Sequence, residues 1–148
     1  MSAIVEVRTG RSGRQCRVAP SALAQLESAR RGLAGAGDEP NPGARYVTAH
    51  LAALRAAAAV VAAGAEPPAT RRRRPQSVWE LLPKVEPALQ EWAAFFAAGA
   101  AKRAAAEAGL PRAVSAHEAD ELLRDASTFV SLAEGALGIL SEQESGAA

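Results

Sequence analysis

The segment from residue 44 to residue 64 constrains the fold more than any other part of this 148-residue chain. One set of its apolar residues alternates spacings of four and three, which is the pattern of one face of an amphipathic helix. They are Val47, Leu51, Leu54, Ala58 and Val61. Most other positions here are alanine, which favours helix but contributes little buried area. The sequence therefore predicts closely spaced helices with a few large side chains as anchors.

Helical periodicity and cap residues predict four principal helices and one short helix. The predicted ranges are about 20–35, 42–64, 77–83, 85–107 and 115–140. Asn41, Ser77 and Ser115 are the expected N-caps, and Pro83 is expected to end the short helix. We therefore predict an all-α, up-and-down four-helix bundle with one additional short helix, built from residues 19–140.

Three segments lie outside this helical pattern. Residues 1–18 are rich in turn-forming residues and are predicted to be a disordered, mobile arm, with at most one short strand that has no obvious partner. Residues 65–76 form a linker rich in proline and arginine, between the second and third long helices. Residues 141–148 are predicted to be a tail.

Composition and charge exclude several classes of protein. The net charge of +1 excludes an overall polycation, although Arg71, Arg72, Arg73 and Arg74 form an unbroken basic run. The lone Cys16 excludes an internal disulfide and fits a reducing cytosol. The alanine-rich stretch 51–65 is interrupted by Arg55 and is shorter than a bilayer requires. We expect a cytoplasmic protein without a membrane span, a metal site or a cofactor.

The only two histidines each follow an arginine by five positions. The pairs are Arg45 with His50 and Arg112 with His117. An imidazole can transfer protons near neutral pH, and a guanidinium can hold a phosphate. The two groups together are a minimal set for cleaving RNA without a metal. Arginine is abundant in this chain, so the spacing by itself has a substantial false-positive rate.

Four segments carry a resemblance to a known family. They are Ala44-Arg-Tyr-Val-Thr-Ala-His-Leu, Ser77-Val-Trp-Glu-Leu-Leu-Pro, Glu91-Trp-Ala-Ala-Phe-Phe-Ala and Glu118-Ala-Asp-Glu-Leu-Leu-Arg-Asp-Ala-Ser-Thr-Phe-Val. Together they resemble a small actinobacterial family of HEPN domains, a superfamily of helical nucleotide-binding modules of higher eukaryotes and prokaryotes. The resemblance covers about residues 20–140 and is most specific around Trp79 and Trp92.

The resemblance implies a bundle of four or five helices that commonly dimerises. Active members of the superfamily are metal-independent ribonucleases whose signature is Arg-x4–6-His near the start of the last core helix. Arg112 and His117 match that position, whereas Arg45 and His50 match only the spacing. In active members a polar residue often follows the arginine, but Ala113 and Tyr46 occupy those positions here.

Each candidate residue has a functional and a structural interpretation. In a nuclease, His117 would take the proton of a ribose 2′-hydroxyl and Arg112 would hold the scissile phosphate. Otherwise His117 is an exposed residue without a role, and His50 is a histidine at the edge of the core, hydrogen-bonded to a neighbouring helix. The four arginines at 71–74 would contact phosphates in the functional interpretation and form a solvated linker in the structural one.

The two tryptophans have the same two interpretations. Trp79 and Trp92 stack on bases or, as their leucine and phenylalanine neighbours favour, anchor the core.

We expect a binding or regulatory module, without catalysis, whose partner is RNA or another nucleotide-bearing polyanion. We also expect a homodimer. Two alternatives stay open. The first is a metal-independent endoribonuclease that uses Arg112 and His117. The second is a protein–protein adaptor, which an exposed apolar patch beside Phe95 would favour.

Overall fold

The computed structural model of the chain describes residues 6–8, 15–64 and 76–139, with side chains from residue 18 onward. Six helices occupy most of this range, which confirms the all-α helical bundle. They are α1 (Pro20–Gly37), α2 (Pro42–Gly64), α3 (Val78–Val85), α4 (Gln90–Ala98), α5 (Ala100–Glu107) and α6 (Ala116–Ala136). A single 3₁₀ turn, Pro87–Leu89, joins α3 to α4.

Helix α2 lies at the centre of the bundle and packs against α1, α3, α5 and α6. Seven of its residues have 0% exposure. One is His50, and the other six are alanines, namely Ala49, Ala52, Ala53, Ala56, Ala57 and Ala59. The predicted seam through Val47, Leu51 and Leu54 is only half-buried, so the seam prediction is wrong in detail. A helix enclosed on several sides needs small side chains at its closest contacts, and the larger residues lie beside those contacts.

All three predicted N-caps are confirmed. Asn41 Oδ1 accepts a hydrogen bond from the backbone N–H of Ala44, at 2.9 Å. Ser77 and Ser115 each form a complete capping box with the glutamate three residues later, Glu80 and Glu118. Because a cap satisfies backbone donors that have no partner inside the helix, these residues fix the starts of α2, α3 and α6.

The region from residue 77 to residue 107 differs from the prediction in two ways. Pro83 does not end the short helix but lies inside the last turn of α3, which continues to Val85. The predicted long helix over 85–107 is divided into the 3₁₀ turn, α4 and α5, with Gly99 between the two helices. Glycine is needed between α4 and α5 because Tyr46 of α2 packs closely there. A Cβ at Gly99 would lie 2.7 Å from Tyr46 Oη.

The joint between α5 and α6 is a regular helix end. Gly109 adopts a φ of 76°, its N–H bonds the Ala106 carbonyl, and the N–H of Leu110 bonds the Ala105 carbonyl. This pair of bonds is a Schellman motif, in which glycine is favoured because its left-handed conformation carries no Cβ penalty. The predicted stop at Gly109 is confirmed.

The N-terminal arm contains an element that the sequence analysis missed. Strand β1 (Glu6–Arg8) pairs antiparallel with β2 (Gln15–Arg17), with Val7 opposite Cys16. The expectation of a strand without a partner is therefore corrected. Val18, which we assigned to the arm, is 6% exposed and belongs to the core.

All six aromatic residues of the chain join one cluster. Trp79 stacks on Phe96 at a ring-centroid distance of 5.3 Å, and Phe129 of α6 lies 5.2 Å from Phe96. Trp92 also stacks on Phe96, at 6.1 Å. Trp79 is buried and Trp92 half-buried, so the interpretation of both tryptophans as core anchors is confirmed.

Within the described residues, α2 is the one helix whose length and composition would allow it to cross a membrane, so the length argument that we made from residues 51–65 does not hold for the whole helix. Its alanine-rich surface packs against four other helices of the bundle. Such a central position is typical of the core helix of a helical bundle.

We predict that enlarging one of the buried alanines of α2 destabilises the protein. Ala53→Leu adds three carbons where neighbouring helices leave no space, and it should lower the free energy of unfolding by about 1–3 kcal/mol. Ala24→Leu, on the exposed side of α1, is the control and should change it by less than about 0.5 kcal/mol. Urea denaturation measures both. Equal effects of the two substitutions would contradict the close packing of α2.

Candidate functional site

His50 is the only described polar or charged residue that is buried, with 0% exposure. Its ring lies between Tyr46, Trp79 and Phe96, with centroid distances of 6.2, 6.1 and 5.8 Å. Nε2 lies 2.8 Å from the backbone oxygen of Phe96, at the end of α4. Nδ1 lies 3.1 Å from Nη1 of Arg103, in α5. Both ring nitrogens therefore have hydrogen-bond partners, as a buried polar group requires.

The partners of His50 determine its tautomer. A guanidinium only donates hydrogen bonds, so Nδ1 must be the unprotonated acceptor and Nε2–H must donate to Phe96. Burial lowers the pKa of His50 below its ordinary value of 6.5, and Arg103 lowers it further, against the opposing effect of the Phe96 carbonyl. The imidazole is thus neutral at physiological pH, and neither nitrogen faces a cleft where it would transfer a substrate proton.

Arg45 does not contact His50, although the sequence spacing suggested a pair. Its guanidinium donates to the backbone oxygens of Glu39 and Pro40, and Nη1 forms an ion pair of 2.6 Å with Asp120 of α6. These bonds tie the connection between α1 and α2 to the start of α6. The geometry makes Arg45 a structural link, and the interpretation of His50 as a hydrogen-bonded core residue agrees with its position.

Arg103 is the partner of His50 that the sequence analysis missed. It lies 53 residues along the chain, and its Nε also approaches Glu107 Oε1 at 3.7 Å. Nε has no hydrogen bond among the described residues. No pattern in the sequence signals this contact, since Arg103 reads as one member of an exposed i, i+4 pair with Glu107. The packing of α5 on α2 brings arginine and histidine together.

The other Arg-x4-His pair lies at the joint between α5 and α6. Arg112 is exposed and is the one described residue other than glycine with a positive φ, 65°. His117 follows in the first turn of α6 with a side chain that is 77% exposed, and its Nε2 lies 3.1 Å from Glu121 Oε2. Both residues are described, and no hydrogen bond joins them. Their proximity in sequence does not become an assembled pair within one chain.

A second polar contact holds α5 to the start of α6. Lys102 Nζ donates to Glu118 Oε2, the same glutamate whose other oxygen accepts from the Ser115 backbone N–H. The lysine and the Ser115 cap lower the pKa of Glu118, while Glu118 raises the pKa of Lys102. Burial raises the pKa of the nearby Tyr46 phenol. The contact between α5 and the start of α6 therefore consists of charges that are paired with each other.

The four arginines at 71–74 lie outside the described residues. In the part of the chain that is described, no group of three histidine, cysteine, aspartate or glutamate side chains is placed to hold a metal ion.

One comparison with known proteins gave a match. A family model described as SAV_6107-like HEPN matches residues 36–134, which is more than half of the chain and extends from the end of α1 to the last turn of α6. Neither the curated proteins nor the solved structures gave a match.

We predict that the contact between Tyr46 and Gly99 decides the effect of Gly99→Ala. Gly99 has an ordinary φ of −84°, so alanine can adopt this backbone conformation. Without a steric contact, alanine should stabilise the fold by about 0.4–1 kcal/mol, because it lowers the conformational entropy of the unfolded chain. The close approach of Tyr46 Oη, at 2.7 Å from the new Cβ, should reverse that sign. In a Tyr46→Phe background, which lacks the hydroxyl, Gly99→Ala should become neutral or stabilising. Denaturant unfolding of the four proteins of this cycle measures the coupling, and purely additive effects would contradict the contact.

Proposed function

This chain belongs to the SAV_6107-like HEPN family, and from that premise we propose that it is a helical module that binds RNA or another nucleotide-bearing polyanion without cleaving it. The distribution of charge is the observation that carries the proposal. Residues 18–64 and 76–139 contain nine Lys and Arg against twelve Asp and Glu, a net charge of −3. Residues 1–17 and 65–75 contain eight Arg against two Glu, a net charge of +6.

Four of the nine cations of the bundle form ion pairs with its own acids, which supports binding outside the bundle surface. Arg30 forms two bonds with Glu134, Arg45 pairs with Asp120, and Lys102 pairs with Glu118. A phosphate would have to displace these carboxylates. The arginines at 71–74 and in the arm have few acids near them in sequence, so they offer the stronger attraction for a polyanion.

Absence of cleavage is supported by the state of the two histidines. Both nitrogens of His50 are engaged by Arg103 and Phe96. His117 pairs with Glu121, and no hydrogen bond joins it to the described Arg112. Acid–base catalysis requires a group within hydrogen-bond reach of the proton that it moves, next to a group that holds the phosphate.

The proposed cellular setting follows from the same reasoning. A cytoplasmic location would place the chain where RNA is available and where the single Cys16 stays reduced. The proposed homodimer would double the basic segments on one particle and so increase the avidity for a polyanion.

A metal-independent endoribonuclease is the second candidate. The left-handed backbone of Arg112 favours it, because an uncommon conformation in a residue other than glycine often accompanies a functional position. In that case Arg112 would hold phosphate, His117 would transfer the proton, and two chains would complete the site. The weaker pair, Arg45 and His50, would need large rearrangement to take part.

A protein–protein adaptor is the third candidate. Phe95 is 45% exposed at the edge of the aromatic cluster, where it contacts Trp92 and Phe96. An adaptor that uses this surface would lose its partner on Phe95→Gln while RNA retardation, if any, stayed unchanged.

We predict that the wild-type protein retards single-stranded RNA in a gel, with an affinity that falls steeply as salt rises. Each phosphate contact contributes about −0.7 to the slope of log K against log salt for single strands. Replacing the four arginines at 71–74 by serine should therefore reduce the slope by roughly 3 if all four act. The control replaces Arg31, Lys84 and Arg124, exposed cations of the bundle, by serine. A wild-type protein that never retards RNA, even at low salt, would contradict the proposal.

We also predict that RNA stays intact with the wild-type protein in excess EDTA. Cleavage that His117→Ala abolishes, with the helical circular dichroism preserved, would favour the nuclease instead. Cleavage that survives both His117→Ala and Arg112→Ala would point to a contaminating enzyme. Product analysis of several unrelated RNAs separates these outcomes.

A further inference from the structure

Helix α5 is attached to the bundle in a different way from the other helices. None of its eight residues, all of which the structure describes, is buried. It is bounded by Gly99 on one side and by the left-handed Gly109 on the other. Two polar contacts hold it, namely Arg103 to His50 and Lys102 to Glu118. An element with little apolar burial opens more readily than the core, so these two contacts carry much of its attachment.

The contact between Arg103 and His50 exists only while Nδ1 carries no proton. A protonated imidazole is a donor at both nitrogens, so Nδ1–H would face a guanidinium that also only donates. The two positive charges would stand 3.1 Å apart at a position closed to water. Such a like-charge pair in a low-dielectric site is strongly unfavourable, and Arg103 is the partner that is free to move because its side chain is partly exposed.

We propose that His50 is a proton-operated latch for α5: uptake of a proton at Nδ1 expels the Arg103 side chain and releases α5 at Gly99. The Nε2–H bond to the Phe96 carbonyl survives protonation, so α4 keeps its place and the break between α4 and α5 becomes the hinge. This device does not depend on RNA binding.

The groups around His50 allow the direction of the response to be worked out. Tyr46 of α2, Trp79 of α3 and Phe96 of α4 surround the ring and carry no charge near neutral pH. From α5, Arg103 opposes the proton and Glu107 favours it. Glu107 belongs to the same helix as Arg103, so release of α5 removes both charges from the ring.

The second attachment of α5 does not titrate in the same range. Lys102 and the Ser115 cap hold the pKa of Glu118 below its ordinary value, so this carboxylate stays ionised well below neutral pH. In the latched state the pKa of His50 is lowered from 6.5, and release of α5 raises this pKa again, because it removes Arg103 and opens Nδ1 to water. Release therefore takes up a proton, and the stability of the latched state is fully present above pH 6.5 and falls as the pH drops below it.

Release of α5 would change the position of the Arg-x4-His pair at its far end. Helix α5 leads through the Gly109 turn to Arg112, and His117 stays with α6. The latch therefore links the protonation of a buried histidine to the geometry of an exposed arginine. Proton uptake at His50 would let Arg112 move relative to His117.

Hydrogen exchange on the full-length protein tests the latch. Protection factors, corrected for the intrinsic pH dependence of exchange, are measured between pH 7.5 and 5.5 for the amides of residues 103–107 and for the centre of α6. One proton taken up on opening predicts that α5 protection falls about tenfold per pH unit below 6.5. Protection in α6 should change much less. Constant protection of α5, or a parallel loss in both helices, would overturn the proposal.

Three variants identify the responsible group. His50→Gln has no proton to gain, so its α5 protection should not vary over this range. Arg103→Ala removes the partner of His50 Nδ1, so α5 should be poorly protected from exchange already at pH 7.5 while α6 remains protected. This variant decides the matter if His50→Gln does not fold. His117→Gln, the matched change of the other histidine, should respond like wild type. A response that persists in His50→Gln, or disappears in His117→Gln, would refute the assignment to His50.

Discussion

The enclosure of α2 by its neighbours is the constraint on which the rest of the structure depends. A helix that packs against four others can approach them closely only where its side chains are small, and the buried positions from Ala49 to Ala59 meet that requirement. Alanine contributes little hydrophobic free energy, so the large apolar contacts must be made elsewhere. The aromatic cluster around Phe96 makes them, where α3, α4 and α6 meet beside α2.

His50 shows what this close packing demands of a polar residue. Its ring fills a position in the aromatic cluster, but each nitrogen needs a partner that no alanine-lined surface offers. The end of α4 provides the Phe96 carbonyl, and α5 provides Arg103. Both partners come from the region that the sequence pattern joins into one helix. Gly99 lies beside the buried imidazole: the Tyr46 hydroxyl occupies the space that a side chain there would need, and a Cβ would be in van der Waals contact with the His50 ring.

Charge is distributed unevenly along the chain, with a net negative bundle and net positive segments outside it. Ion pairs connect helices of the bundle, as in the contact of Arg45 with Asp120, while the excess of arginine lies in the arm and in residues 65–75. This separation is the basis of the proposed polyanion binding, since a bundle of negative net charge attracts phosphates poorly and arginine-rich segments attract them well. The Arg-x4-His spacing alone does not indicate catalysis, because neither pair is assembled within one chain.

The sequence by itself determined the helical class, the caps at Asn41, Ser77 and Ser115, the stop at Gly109 and the family, because these depend on local periodicity and on backbone groups within a few residues. It also indicated that Trp79 and Trp92 are core anchors. It did not determine the division at Gly99, the continuation of α3 through Pro83, the pairing of β1 with β2 or the contact between His50 and Arg103. Two of these features, the division at Gly99 and the contact of His50 with Arg103, arise between residues that are 53 positions apart in sequence. Only the tertiary structure decided which side chains share the space around α2, since helical periodicity specifies a face but not the groups that pack against it.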